Sequence, residues 1–364
     1  MSYLIWALLI LAPLLLAGLS QAGGAVAGRG PQRTMWLWIA GVVGFAALMI
    51  APHLVTYSQQ ELLVFLVINI LIVASYRLLT LTGEFSLAHV VIVGVGAYGS
   101  ALLTKQVGVP VPIAMLLGAA IAGLVAFILS FPLFRMKGFY FLIGSFAAGE
   151  VIRLLWKRFR EPFGGPKGIK LIPEFPGFEL FGIPFEFYEP VTFYYFALII
   201  VGLSLWLLWR IENSRIGLTF HAVHWQDQLA DSLGVNTRRY RTLAFVIASV
   251  FAGLAGALLA HYLGTINPNR FDVDEMVYVL IWVIVGGTAT LWGPIVGLIV
   301  LTVINEVILR ELNVDELRPL FYGAILILAM LFLPSGLETL PRKIKERFSR
   351  DKKAADAVEL TTSQ

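Results

Sequence analysis

The sequence contains no cysteine. That excludes disulfides, thiolate metal sites and cysteine nucleophiles, and it leaves the redox compartment open. Charge is scarce as well: 14% of the 364 residues are Asp, Glu, Lys or Arg. No G-x-x-x-x-G-K-[ST] run occurs, so the chain has no phosphate-binding loop of that kind and is not expected to hydrolyse ATP itself. G-x-S-x-G and H-E-x-x-H are missing too, and no paired catalytic constellation replaces them. No catalytic residue, metal or cofactor is therefore expected. His221 and His224 can share a helix face, but zinc wants three or four ligands and no third stands near them in sequence.

What the chain has in excess is apolar surface: 58% of its residues are hydrophobic and its mean hydropathy is +0.82. Composition of this kind predicts an all-α, polytopic membrane helix bundle. The net charge of +4 then bears on topology rather than on nucleic acid. A crossing takes about 20 mostly apolar residues. By that measure there are about eleven spans, at 3–19, 35–52, 61–81, 83–104, 111–134, 139–156, 192–209, 242–263, 276–285, 291–309 and 317–333, one or two of them short or broken. The first has no Lys or Arg before it, which argues against a cleaved signal peptide. The chain divides into N-terminal spans and connector (1–60), a core (61–340) with a long loop at 157–190, and a charged tail (341–364). The loop 157–190 reads as an ordered lid or plug. Basic residues favour the N-terminus outside and the C-terminus inside, although Lys157, Arg158, Arg160, Lys167 and Lys170 then lie outside.

The stretch 212–240 is the longest polar run between apolar segments in the C-terminal half. Within it Ala222, Trp225, Leu229 and Leu233 recur at helical spacing and predict one amphipathic helix over 222–233, which Gly234 stops. Gln226, Gln228 and Asp231 take its other face. Arg210 and Arg215 precede it, and Arg238, Arg239 and Arg241 follow. Those three cations stand at the start of a span, where orientation accounts for them better than the helix dipole does. Asn236 or Thr237 is the expected N-cap. The helix is either a solvated connector or a docking surface for a soluble partner.

Ionisable groups inside apolar segments are costly, so each is a functional candidate. Glu84, Ser86 and His89 open a Gly-rich segment, and Ser86 is suited to cap its helix. A helix broken at mid-membrane aims its N-terminal amides at an anionic group, which would suit the carboxylate of an amino acid. Gly94 to Gly99 match G-x-G-x-x-G, yet the strand and the acidic residue of a dinucleotide site are missing, and position 119 is Ala. Gly94 and Gly96 instead serve close helix packing or a break beside a substrate path. Glu150 and Arg153 can pair on one helix face. Arg77 is expected to snorkel from the end of its span, and His261 to be structural. Asn305 and Glu306 can face the bundle interior. A self-sufficient ion-coupled transporter or channel using Glu84, Glu150 or Glu306 is the rival reading.

Several segments resemble one family. Gly83-Glu84-Phe85-Ser86-Leu87-Ala88-His89 with Gly94-Val95-Gly96-Ala97-Tyr98 is similar to its G-Q-x-S-L-G-H … G-x-G-A-Y segment. The run 138–153, ending Gly149-Glu150-Val151-Ile152-Arg153, resembles its G-Y-F … A-F-G-E-I-x-R helix, and 164–169 its T-G-G-x-x-G-I loop. Ser214-Arg215-Ile216-Gly217 to Gly234-Val235-Asn236, the small-residue run 252–257, Gly286-Gly287 with Leu291-Trp292-Gly293-Pro294, and 333–337 fit in order. Together they resemble the permease subunits of bacterial branched-chain amino acid ABC importers, of the LivM-like type, from about residue 83 to 337. The resemblance implies a multi-pass inner-membrane subunit that imports small neutral solutes, branched-chain or other neutral amino acids first, with urea, short amides and small aromatic acids as the alternatives. It would work with a second, different permease subunit, two ATPase subunits and an external solute-binding protein meeting the loop 157–190. Arg215, Ala222, Trp225, Leu229, Leu233 and Gly234 would form the ATPase coupling segment. Glu84, Ser86, His89, Gly94, Gly96, Glu150 and Arg153 would lie along the substrate path. Glu84 stands where the family usually has Gln, and Ala88 where it has Gly. His221, His224 and Trp225 replace a charged run in the coupling loop.

Overall fold

A computed structural model describes residues 48–180, 183–185, 187, 189–306, 318–333 and 336–339. The expected span 3–19, most of the span 35–52 and the tail beyond 340 lie outside the described residues, and so do both termini.

Helices dominate. α1 is Tyr57–Thr80, α2 His89–Leu102 with a π turn over Leu103–Val107, α3 Val111–Leu133, α4 Phe139–Arg158 and α5 Pro190–Glu212. Two short helices follow, α6 (Arg215–Trp225) and α7 (Asp227–Ser232), and then α8 (Thr237–Leu263). α9 (Val273–Gly286), α10 (Trp292–Ile304) and α11 (Arg318–Phe332) end the described chain. Six helices are long and apolar enough to cross a membrane: α1, α2 with its π turn, α3, α4, α5 and α8. They coincide with the spans expected between residues 61 and 263. The three later ones appear as α9 to α11, whose described parts cover 14, 13 and 15 residues.

Met49–Leu280 form one compact unit, and the described residues from Ile281 onward belong to another. In the first unit α8 is central and packs on α1, α2 and α3, while α5 packs on α1. Small residues make this possible: a Cβ on Gly96 would fall inside the backbone of Gly253, so α2 and α8 cross backbone to backbone. Asn236 starts α8, its Oδ1 accepting from the Arg239 amide at 3.0 Å.

α2 begins partway down the bundle. The Leu87 amide donates to Ser145 Oγ at 2.9 Å, and Gly149, the midpoint of α4, lies against Ala88. The non-helical residues 81–88 therefore run back into the bundle before α2 starts. Thr82, Glu84, Ser86 and Ala88 are all buried there. Irregular backbone at that depth is tolerated only where protein encloses it. Ser86 does not cap α2 as expected: its Oγ accepts from Ala88, two residues on, and the cap residue Ala88 has no side-chain acceptor.

At the far end of α8, β1 (Ile169–Lys170) pairs antiparallel with β4 (Thr265–Ile266). β2 (Phe178–Leu180) and β3 (Ile183–Phe185) form a second two-stranded ribbon in the loop 159–189. His261 Nδ1 donates to the Pro173 carbonyl at 2.7 Å, and Ser100 Oγ bonds its Nε2 at 2.8 Å. It is a structural histidine, as expected, and it fastens the loop to α2 and α8.

In the second unit, Glu338 is fully buried and accepts from the amides of Ala289 and Thr290 at 2.8 and 3.0 Å and from Thr290 Oγ1. The carboxylate gathers Gly287, whose φ of +102° only glycine adopts easily, with Gly293 and the segment 336–339. The separated sequence fragments 286–287, 291–294 and 336–337 meet around this one acceptor.

Candidate functional site

The segment between α5 and α8 differs from expectation in one respect. The predicted single helix over 222–233 is two helices. Gln226, at φ −150° and ψ 82°, ends α6 and starts α7. The break gives Asp227 the first position of a new helix, where a carboxylate suits the dipole. Ser214 caps α6, with Oγ accepting from the Ile216 amide at 3.2 Å. Gly217, Phe220, Val223 and Ala230 are buried. The residues assigned to one apolar face all point outward: Trp225 is 80% exposed, Leu233 77% and Leu229 53%, and Ala222 and Arg215 are exposed beside them. Leu218, which periodicity over 222–233 left out, extends the patch. Gly234 follows with φ +86°. Large apolar side chains exposed on so short a segment make it a candidate interaction surface.

Three polar ties hold this segment to the bundle. Arg77 does not snorkel as expected. It is buried and makes a bidentate pair with Glu212, both N···O distances 2.7 Å, at the point where α5 gives way to α6. His224 Nδ1 donates to the Thr80 carbonyl at 3.3 Å, and its ring lies over Gly83. The third tie is ionic. Lys137, on the turn between α3 and α4, bonds Asp227 Oδ2 at 2.7 Å. Arg241, one turn into α8, lies 3.4 Å from Asp227 Oδ2 and 3.4 Å from Glu84 Oε1. Glu84 thus connects through Arg241 to the helix pair. Burial acts upward on the Asp227 carboxyl, but its bond to Lys137 and the Arg241 charge outweigh that and hold it below its ordinary value. His221 is held below its ordinary value by burial, against the pull of Glu212.

The candidates of the substrate path separate into three places. Glu84, Ser86 and His89 lie in and just after the break before α2. His89 is fully buried. Ser75 Oγ spends its proton on the Ile72 carbonyl at 2.8 Å, so the 3.0 Å contact with His89 requires His89 Nε2 to donate. Nδ1 is then an acceptor, and it has no partner among the described residues. The Tyr76 ring packs edge-on against His89, centroids 5.1 Å apart, and against Phe85. Gly94 and Gly96 lie further along α2 in packing contacts. A Cβ on Gly94 would meet Trp156 at 2.7 Å and Phe271 at 2.8 Å, and Gly96 faces Gly253. Glu150 and Arg153 pair as their spacing predicts, Arg153 Nε donating to Glu150 at 2.7 Å. A third partner, Asp272, takes Arg153 Nη1 at 3.0 Å. This cluster ties α4 to the turn before α9. Sequence reasoning missed Asp227, Glu212, Lys137 and Asp272 as ion partners and read Arg241 only as a topology signal. Pairs such as 84 with 241, or 77 with 212, have no local spacing that would reveal them. Among the described residues no group of His, Asp and Glu is arranged to hold a metal.

A bundle of long apolar helices, with an apolar-faced helix pair tied by charge to a break in one of them, defines a polytopic membrane protein. Residues 58–330 match the family described as "Branched-chain amino acid transport system / permease component", and the chain belongs to that family. It is 33% identical over 284 residues to the high-affinity branched-chain amino acid transport system permease protein LivM of Escherichia coli K12, covering 72% of this chain and 65% of that protein. The corresponding LivM of Salmonella typhimurium is 30% identical over 280 residues, with the same coverage. LivH of Salmonella typhimurium is 32% identical over 127 residues, 35% of this chain and 41% of that protein. The chain thus spans somewhat under two thirds of the length of the LivM relatives it matches. No solved structure matches it.

Proposed function

We propose that this chain is the transmembrane permease subunit of an ATP-driven importer for branched-chain or other small neutral amino acids. Family membership supports the class of transport. The observation that carries the coupling mechanism is the exposed face of Trp225, Leu229 and Leu233 on a helix pair anchored to the bundle by buried charge. A membrane chain without a nucleotide site needs a stiff connection to a subunit that has one. Two ATPase subunits grip this face. Their movement reaches the break before α2 through Asp227, Arg241 and Glu84, and reaches α1 through Glu212 and Arg77. A second, different permease subunit completes the pathway, and a solute-binding protein docks on the opposite side near the loop 157–190. In that arrangement the helix pair and the C-terminus are cytoplasmic, the N-terminus is outside, and the membrane is the bacterial inner membrane.

In the substrate path, α2 begins mid-bundle, and the buried His89 Nδ1, unpartnered among the described residues, supplies a polar group in an otherwise apolar setting. The test is uptake and ATP hydrolysis in proteoliposomes, with the chain alone and then with its partner subunits. Uptake that requires the ATPase and binding-protein subunits is the expected result. Uptake by the lone chain driven by a proton or sodium gradient overturns the proposal.

A further inference from the structure

Between α3 and α8, at the end of the bundle that carries the helix pair, lies an open groove of about 430 Å³. Phe127, Phe131, Leu243 and Val246 form its walls, and Arg238 and Arg239 stand at its end in the first turn of α8. The Phe127 and Phe131 rings meet edge to face, centroids 5.0 Å apart, and both remain substantially exposed. Ser130, the polar residue on the α3 wall, spends its hydroxyl on the Phe127 carbonyl. The groove therefore offers a long peptide ligand little to bond.

Its charged end is built. α3 ends at Leu133 in a tightened turn, and the Arg135 amide bonds the Pro132 carbonyl instead of the Phe131 carbonyl. The Phe131 carbonyl so released accepts from Arg238 Nη2 at 2.9 Å, which fixes that guanidinium across the end of the groove. Among the described residues no carboxylate pairs with Arg238 or Arg239, whereas Arg77, Arg153 and Arg241 all have acidic partners. An apolar channel that runs along two spans and ends in two guanidiniums lacking counter-charges complements an amphiphile with a negative head.

We propose that this groove is a binding site for an anionic phospholipid, with an acyl chain against Phe127, Phe131, Leu243 and Val246 and the phosphate on Arg238 and Arg239. The site requires only that α3 and α8 span a bilayer, and it stands whether or not the importer reading does. A cation close to an anionic headgroup is worth about fivefold in affinity, so the pair gives roughly 25-fold preference over a zwitterionic lipid.

The cysteine-free sequence makes a single introduced thiol unique. Val246→Cys, labelled with a small fluorophore in the full-length chain, is placed in phosphatidylcholine bilayers containing spin-labelled phosphatidylglycerol or spin-labelled phosphatidylcholine. Leu203→Cys on the exposed face of α5 is the control for ordinary lipid contact. At position 246 the anionic lipid should quench at roughly 25-fold lower mole fraction than the neutral one, with no such difference at 203. Arg238→Gln with Arg239→Gln should remove the preference. Raising salt towards 1 M should weaken it in the chain that keeps both arginines, a check independent of whether the double variant folds. Equal quenching by both lipids at 246, an equal preference at 203, or a preference that survives loss of both arginines overturns the site. Absence of quenching by either lipid in the complete assembly also overturns it, since a protein subunit then fills the groove.

Discussion

Replacing Arg241 by glutamine removes the cation that Glu84 and Asp227 share. The Glu84 side chain is 4% exposed and that of Arg241 11%, so water replaces little of what is lost. At 3.4 Å and an effective dielectric constant near 20, each ion contact has a Coulomb energy of about 5 kcal/mol before desolvation is counted. Breaking a buried pair from one side typically costs about 3–5 kcal/mol, because a charge stays buried without its partner. Asp227 keeps Lys137, which is on the surface, so the larger share of the cost falls on Glu84. Arg241→Gln should therefore destabilise the chain by about 3 kcal/mol near neutral pH. Adding Glu84→Gln, which removes the stranded charge, should recover about 2 kcal/mol. Unfolding by SDS in dodecyl maltoside micelles, followed by tryptophan fluorescence, measures both. The same variants in the assembled transporter should show ATP hydrolysis persisting while solute moved per ATP falls, more in the single variant than in the double. Single and double variants within about 0.5 kcal/mol of each other would refute the reasoning, since independent sites add to that tolerance.

Trp225→Ala should uncouple ATP hydrolysis from uptake while leaving detergent stability within about 0.5 kcal/mol, because an exposed side chain is lost; normal uptake at normal ATP cost would count against the docking face. Arg77→Ala strands Glu212 beneath α6 and should cost about 3–5 kcal/mol, with Glu212→Gln partly rescuing it in the same SDS titration. Gly96→Val places a branched side chain against the Gly253 backbone and should abolish stable folding, scored as loss of the monodisperse peak in size-exclusion chromatography.

Apolar run length was enough to place the long helices, because a helix in a bilayer satisfies its own backbone and only its length must match. Ala222, Trp225, Leu229 and Leu233 are all exposed, but the single helix read from their periodicity is broken at Gln226. Both results have one cause. Exposed faces are set by spacing along a single helix, whereas the break depends on Asp227 reaching Lys137 and Arg241, residues 90 and 14 positions away. Every ion pair that ties the segment 212–234 to the bundle is of this second kind. Arg77 reads as a snorkelling terminus until α5 returns beside α1 and brings Glu212 to it. Glu84 reads as a lone carboxylate, and so as a site for a coupling ion, until α8 delivers Arg241. Only Glu150 with Arg153 was legible, since three residues on one helix fix that geometry locally; its third member, Asp272, was not. The chain therefore writes its spans and faces locally, and its mechanical connections only through tertiary packing. That division points to the residues a sequence alone would pass over, Asp227 and Arg241, as the ones whose replacement should separate hydrolysis from transport.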